Sequence, residues 1–321
     1  MVELRNNIVL LLGPTASGKT ATAMALYDAL GGEAAAQLIS VDSAMIYRGM
    51  NIGTAKPSAA ELQRYPHALV DIRDPADPYT VHDFVSDADV LVRDALEANR
   101  VPILVGGTML YAKRFVEGIA EVPETDPQAR AEIEQLYERE GAQFAHEQLV
   151  QKDPAAAKQI DPNNRQRVVR ALEVVTTTGV PISDYWTRMP GRQVAERHGV
   201  GVKQFALVPG DRSQLHETIQ KRFQAMLAAG FVDEVRGLYA EHPRLHLDLP
   251  AMRAVGYRQA WLYLAGDLSY EQFVADAVTA TRRLAKRQLT WLRTWQDMVT
   301  LETVSAQEEV ENRVSQILKT P

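Results

Sequence analysis

Apolar positions come in blocks along this chain, and the period inside the blocks changes. Ile8 to Leu12, IVLLL, is an unbroken apolar run, the pattern of a strand buried on both faces. A glycine-rich turn follows. From Lys19 to Leu30 the apolar residues recur at helical spacing until Gly31 and Gly32 end them. QLISVD (37–42), HALVDI (67–72) and VPILVGG (101–107) predict further strands, and Thr80 with Asp83 predicts a capping-box start to a helix reaching about Ala98. Strands alternating with helices predict an α/β fold, a parallel sheet covered by helices on both faces. The turn after the first strand makes it P-loop NTPase-like.

After Val122 the texture changes. Asp126-Pro127, Asp153-Pro154 and Asp161-Pro162 each join a capping residue to a proline suited to the first helical position. Three helices in succession without a strand predict an all-helical insertion over 123–200, between two parts of a core at 1–122 and 201–321. KQFALV (203–208) resumes strand texture. Asp211 with Gln214 predicts a helix ending at Gly230, a second helix is expected over about Pro250 to Leu264, and Ser269 with Gln272 opens a long one reaching Arg293. MVTLET (298–303) predicts a last strand, before a final amphipathic helix.

Composition narrows the class. No apolar run approaches the ~20 residues that span a bilayer, and MVELRNN is not read as a signal peptide, so the expected compartment is the cytoplasm. The chain has no cysteine, which excludes disulfides, thiolate metal sites and a thiol nucleophile. The seven histidines show no metal-binding spacing. With 35 basic and 41 acidic side chains the net charge is −6, and the total alone argues against a polyanionic partner. One segment departs from that average. Thr281 to Arg293 carries Arg282, Arg283, Lys286, Arg287 and Arg293 with no acid. The first four fall on one helical face, either a solvated stripe or a polyanion footprint. Trp291 and Trp295, four apart, read as core.

The chemistry starts at GPTASGKT. Gly13, Pro14, Thr15, Ala16, Ser17, Gly18, Lys19 and Thr20 match a phosphate-binding loop. Backbone amides can turn toward an anion, Lys19 adds a charge, and the Thr20 hydroxyl can hold Mg2+. Asp42 closes the second strand at the carboxyl edge, where α/β sheets place ligands. It can be a turn residue, a metal ligand or a general base. The next clear strand ends in Gly106-Gly107-Thr108 rather than in the aspartate expected of a phosphate-loop hydrolase. Arg165 and Arg167 fall in the first turn after Asp161, where cations oppose the helix dipole unless an external phosphate is present; Arg170 shares a face with Arg167.

Taken together, GPTASGKT, DSAMIYRGMNIGTAKP (42–57), HALVDIRDP (67–75), GGTMLY (106–111), DPNNRQRVVRALEV (161–174), RAVGYRQ (253–259) and RRLAKRQLTWLR (282–293) resemble the tRNA dimethylallyltransferases, also called tRNA isopentenyltransferases. The resemblance implies transfer of a dimethylallyl group from dimethylallyl diphosphate to N6 of the adenine 3′ of the anticodon. It implies that residues 13–20 and Arg222 hold the diphosphate, with Mg2+ on Thr20. Asp42 would be the general base, with Thr108 and Lys19 as further catalytic residues. The implied tRNA contacts are Asp42, Ser43, Ala44, Met45 and Thr108, then Gln166, Arg167, Val168, Val169 and Arg170 in the insertion. Arg253 and Arg258, and Arg282, Arg283, Lys286 and Arg287, complete them. No membrane and no obligate protein partner are expected, and the family suggests a monomer. Met45 stands where glutamine is common and Asn51 where aspartate is common. Without the resemblance, an ATP-dependent small-molecule kinase or a nucleotide-switched RNA-binding protein would use the same loop.

Overall fold

The structure, a computed structural model, describes residues 7–124, 126–188, 191–303 and 307–320. The chain divides into two compact units, Met1–Val116 with Val194–Pro321, and Glu117–Gln193.

The larger unit is built on one parallel sheet of six strands. They are β1 (Asn7–Leu12), β2 (Ala36–Val41), β3 (His67–Ala68), β4 (Val101–Gly106), β5 (Gly201–Pro209) and β6 (Met298–Thr303), in the spatial order β3-β2-β4-β1-β5-β6. β1 is central, with Val9 opposite Ile103 of β4 and Lys203 of β5, so its apolar run is fully buried. The expected strand over 67–72 shortens to His67–Ala68, because the chain turns through left-handed Leu69 and Asp71. Gly106 lies in register with both Leu12 and Val41. A Cβ there would stand 2.1 Å from the Val41 carbonyl oxygen, so only glycine lets the three strand ends close together.

Helices α1 (Lys19–Leu30), α2 (Ala59–Arg64), α3 (Val81–Glu97) and α4 (Met109–Glu117) follow the first strands. The connection from β1 to β2 crosses the sheet in one direction and that from β3 to β4 in the other. Right-handed crossovers therefore put α1 and α3 on opposite faces. α3 opens with the expected Thr80–Asp83 capping box.

The smaller unit is helical among its described residues: α5 (Pro127–Lys152, broken at Gly141), α6 (Pro154–Ala157), α7 (Arg165–Thr178) and α8 (Ile182–Arg188). Asp126 and Asp153 cap α5 and α6 as expected, but α7 is capped by Asn164. Asp161 instead accepts the Asn163 amide in a turn, which consumes the capping oxygen one turn early. The core holds Ile133, Leu149, Val168, Val169 and Leu172. Where this unit starts and ends, the backbone runs double. A Cβ on Gly118 would lie 2.4 Å from the Arg192 carbonyl oxygen, and one on Gly191 would lie 2.2 Å from the Ile119 nitrogen.

The larger unit resumes with α9 (Val194–His198), α10 (Arg212–Ala228), α11 (Phe231–Glu241), α12 (Tyr257–Leu264), α13 (Tyr270–Arg293) and α14 (Gln307–Lys319). The helix expected from Pro250 begins only at Tyr257, after a run of turns. Val314 and Ile317 of α14 join Leu26 of α1 and Val9, Leu11 and Phe205 of the sheet in the main core. No helix among the described residues is long and apolar enough to cross a membrane.

Candidate active site

The loop after β1 is tight and partly left-handed, with φ of 65° at Ala16 and 80° at Gly18. A Cβ on Gly13 would meet Ser17 Oγ at 2.5 Å. Two loop amides are committed internally: Ser17 N donates to the Pro14 carbonyl at 3.3 Å, and Thr15 N donates to Gln288 Oε1 at 2.9 Å. The amides of Ala16, Gly18, Lys19 and Thr20 have no such partner among the described residues, as expected where a helix begins. Ser17 Oγ is buried at 6% exposure and also lacks a hydrogen-bond partner among the described residues. An unsatisfied buried hydroxyl costs ~1–3 kcal/mol, which an anion acceptor would offset.

Charge around the loop is unbalanced. Lys19 folds back onto the Pro14 carbonyl at 3.3 Å. Burial pushes its ammonium down to about 8; the Asp42 carboxylate opposes that shift, and Arg222 adds to it. Burial also lowers the Arg222 guanidinium from its ordinary value, again opposed by Asp42. Two cations and one carboxylate thus act on one another beside four open amides, a setting that favours an anion with more than one charge. Arg313 adds a third cation. It is 7% exposed on α14, and its Nη1 lies 3.7 Å from where a Cβ on Gly18 would sit.

Asp42 follows β2 at the same sheet edge. Its Oδ1 accepts from Ala44 N at 2.9 Å and Met45 N at 3.1 Å, and Oδ2 has no hydrogen bond among the described residues. The carboxylate is therefore both a turn residue, by one oxygen, and open to a proton donor, by the other. Thr108 sits next to it: its Oγ1 accepts from Ser43 N at 3.0 Å and donates to Ser43 Oγ at 3.2 Å. Beneath lie Tyr79, Phe84 and Tyr111, all buried, with Phe84 stacked on Tyr111 at 4.7 Å between centroids. Burial raises the Tyr111 hydroxyl well above its usual value, and the Tyr47 and Asp42 charges add to this. It stays a neutral donor, bonded to the Tyr79 carbonyl at 3.1 Å.

The segment after Asp42 is fixed by a residue that sequence reasoning did not identify. Glu234 of α11 accepts from the amides of Asn51 at 2.9 Å, Ile52 at 2.7 Å and Gly53 at 3.3 Å, and from the Tyr257 hydroxyl at 2.5 Å. Gly53 must be glycine, since a Cβ would lie 2.2 Å from the Phe231 ring and 2.6 Å from Tyr257. Asn51 Oδ1 accepts from Lys56 Nζ at 2.9 Å. The same ammonium, with 3% of its side chain exposed, pairs with Asp71. With asparagine at 51, one acid rather than two neutralises this lysine.

The expected RNA-contacting residues divide into exposed and enclosed groups. Ser43, Gln166, Arg167, Arg253, Arg258, Arg283, Lys286 and Arg287 are exposed, and Ala44 and Met45 half-buried. Arg282 is half-buried against Gln220 at 3.3 Å. Arg283, Lys286 and Arg287 meet no acid among the described residues, so the face of α13 is uncompensated. In the smaller unit the expectation needs correction. Val168 and Val169 have no exposure, because successive turns of α7 pack into the core, so their side chains are enclosed. Arg170 is bound to Glu173 and the Pro123 carbonyl, and Arg165 to Glu138 at 2.7 Å. Internal acids therefore offset the charge at the start of α7. Trp291, expected in the core, lies at the surface beneath Lys113, 5.5 Å from its ring centre. No group of three acids or histidines that could hold a metal occurs among the described residues.

The family model of IPP transferases matches residues 45–295. The tRNA isopentenylpyrophosphate transferase of Bacillus halodurans is 33% identical, covering 98% of this chain and 96% of that one, with a TM-score of 0.68. The tRNA delta(2)-isopentenylpyrophosphate transferase of Staphylococcus epidermidis is 29% identical, covering 98% and 99%, with a TM-score of 0.66. A eukaryotic dimethylallyltransferase acting on tRNA is similar in fold, with a TM-score of 0.79 at 21% identity over 94% of this chain and 74% of that one.

Proposed function

From the premise that this chain belongs to the IPP transferase family, we propose that it transfers a dimethylallyl group from dimethylallyl diphosphate to N6 of the adenine 3′ of the anticodon in tRNA. The chain is a transferase that prenylates tRNA; the donor, the acceptor atom and the residue roles are our reading. The observation that carries it is the tight loop of residues 13–20, whose buried Ser17 Oγ lacks a partner among the described residues and at whose Lys19 the charges of Asp42 and Arg222 are felt.

The diphosphate lies on the amides of Ala16, Gly18, Lys19 and Thr20, with Ser17 Oγ, Lys19 and Arg222 as further donors. The adenine amine is a weak nucleophile, its lone pair being delocalised into the ring. As N6 attacks C1 of the donor, the C1–O bond breaks and diphosphate leaves with the electron pair. The N6 proton passes to Asp42 Oδ2. Charge grows on the leaving oxygens where preformed donors already stand, which is where stabilisation accelerates a reaction most. Thr108 orients Ser43 and with it the start of the loop that meets the base. A stacked base cannot reach this edge, so the adenine is swung out of its loop.

The donor set also fits Mg2+. That ion takes one or two protein oxygens and completes its shell from phosphates and water, and the Thr20 hydroxyl beside the open amides would hold it, without the acid cluster that is missing among the described residues. When bound it would neutralise charge on the departing diphosphate.

The exposed cations of α13, with Arg253, Arg258, Gln166 and Arg167, contact phosphate and sugar of the anticodon stem-loop, which reconciles a net charge of −6 with a polyanionic partner. The helical unit is thus a tRNA-contacting insertion. The chain works in the cytoplasm, as its lack of cysteine suits, and as a monomer. The kinase alternative is not favoured, given the family and the glycine end of β4. Incubating the protein with tRNA and either labelled dimethylallyl diphosphate or γ-labelled ATP separates the two: label should move to tRNA from the prenyl donor only. Transfer from ATP alone would reject the assignment.

A further inference from the structure

Gln288 lies in the buried stripe of α13 that also holds Ala277, Ala285 and Leu292, at 7% exposure. A carboxamide in such a stripe is unfavourable unless both ends are satisfied. Here both ends bond to backbone far away in sequence. Oε1 accepts from Thr15 N at 2.9 Å, and Nε2 donates to the Gly107 carbonyl at 2.8 Å. The first atom belongs to the phosphate loop after β1. The second precedes Thr108, which in turn holds Ser43, the neighbour of Asp42. Gly107 leaves the room: a Cβ there would stand 2.6 Å from Gln288 Nε2. On the exposed side of the same helical turn, Arg287 and Lys286 face solvent.

We propose that Gln288 is a positioning residue that couples RNA docking on the basic face of α13 to diphosphate binding, by holding the donor loop and the Gly107–Thr108 turn with one carboxamide. It rests on the reading of tRNA as acceptor and a prenyl diphosphate as donor. A shift of α13 on RNA contact moves both backbone segments together, because rigid hydrogen bonds at either end of a planar amide leave neither free to lag. By reciprocity the donor must then tighten RNA binding by the same factor that RNA tightens donor binding.

The test is a binding cycle with the full chain. Affinity for an anticodon stem-loop RNA is measured with and without a non-reacting thio-analogue of dimethylallyl diphosphate, and affinity for the analogue with and without RNA. The native protein should show a coupling factor of about fivefold or more, the lower range of measured couplings. In Gln288→Leu the factor should fall to near one, with RNA affinity alone changed less than twofold. Gln288→Glu keeps the acceptor for Thr15 and loses the donor to Gly107. It should therefore lower kcat about tenfold, the effect of one lost buried hydrogen bond, and its added carboxylate beside the loop should also weaken the analogue. Gly107→Ala pushes the carboxamide away from the other side and should reproduce the loss of coupling, which guards against a Gln288 variant that misfolds. No coupling in the native protein, or full coupling in both Gln288→Leu and Gly107→Ala, overturns the proposal. If the native protein moves no prenyl label to tRNA, the functional reading fails instead, so the two failures are distinguishable.

Discussion

Glu234→Ala would remove one acceptor shared by three backbone amides and the Tyr257 hydroxyl. Hydrogen bonds to a charged group contribute ~1.5–3 kcal/mol each when the alternative is an unmet donor. Asn51 is exposed and Ile52 and Gly53 only half-buried, so water replaces part of the loss, and the net cost to the loop is about 2–4 kcal/mol. At ~1.4 kcal/mol per tenfold, amide exchange over residues 45–58 should accelerate about 30- to 700-fold. Exchange in the β1–β4 core should be untouched. Glu234→Gln keeps an acceptor without the charge and should fall between. Because the loop lies beside Asp42 and not in the phosphate loop, kcat/KM should fall with tRNA varied, while donor affinity stays within about twofold. Hydrogen exchange followed by mass spectrometry reads the first effect and steady-state kinetics the second. An acceleration below about threefold would refute the idea that this carboxylate sets the loop. Equal damage to donor binding would refute its independence from the phosphate site.

Asp42→Asn should lower turnover by about 10²–10⁴-fold, the usual weight of a general base, with tRNA binding kept and donor binding no weaker, since a negative charge next to Lys19 and Arg222 is removed; single-turnover rates and donor titration check both. Neutralising Arg283 and Arg287 together should weaken tRNA binding and reduce the slope of log affinity against log salt by about 2; unchanged affinity across salt would make the stripe mere surface. Lys19 is protonated below about 8 and neutral above it, and an anion binds the protonated form, so donor affinity should be level up to that pH and then fall, approaching tenfold per pH unit. Lys19→Met should bind weakly with no such fall, and a native profile flat to pH 10 would contradict the role.

Much of this arrangement was legible because it is local. The strand, turn and helix at residues 8–30 follow from adjacent residues, as do the capping boxes at Thr80 and Ser269. What escaped was either uncapped or distant. α11 starts from left-handed Gly230 without a side-chain cap, so the glycine that ends α10 reads as a stop and hides the next start. Asp161 and Asn164 compete for one helix end, and only the packed chain decides. The exposed side of α7 cannot be told from its buried side when RQRVVR offers arginine and valine in succession, so the burial of Val168 and Val169 shows only in the packed helix. Glu234 and Gln288 bond to backbone more than 180 residues away, Arg313 reaches Gly18 from the last helix, and no spacing rule extends that far.

The doubled backbone at Gly118 and Gly191 makes the helical unit a module hung on a closed neck. Since departing and returning chain already touch, joining them directly would bridge almost no distance and add little closure entropy. A shortened chain made by that splice is a realistic scaffold: the six-stranded sheet could be kept as a chassis and fitted with a different attachment.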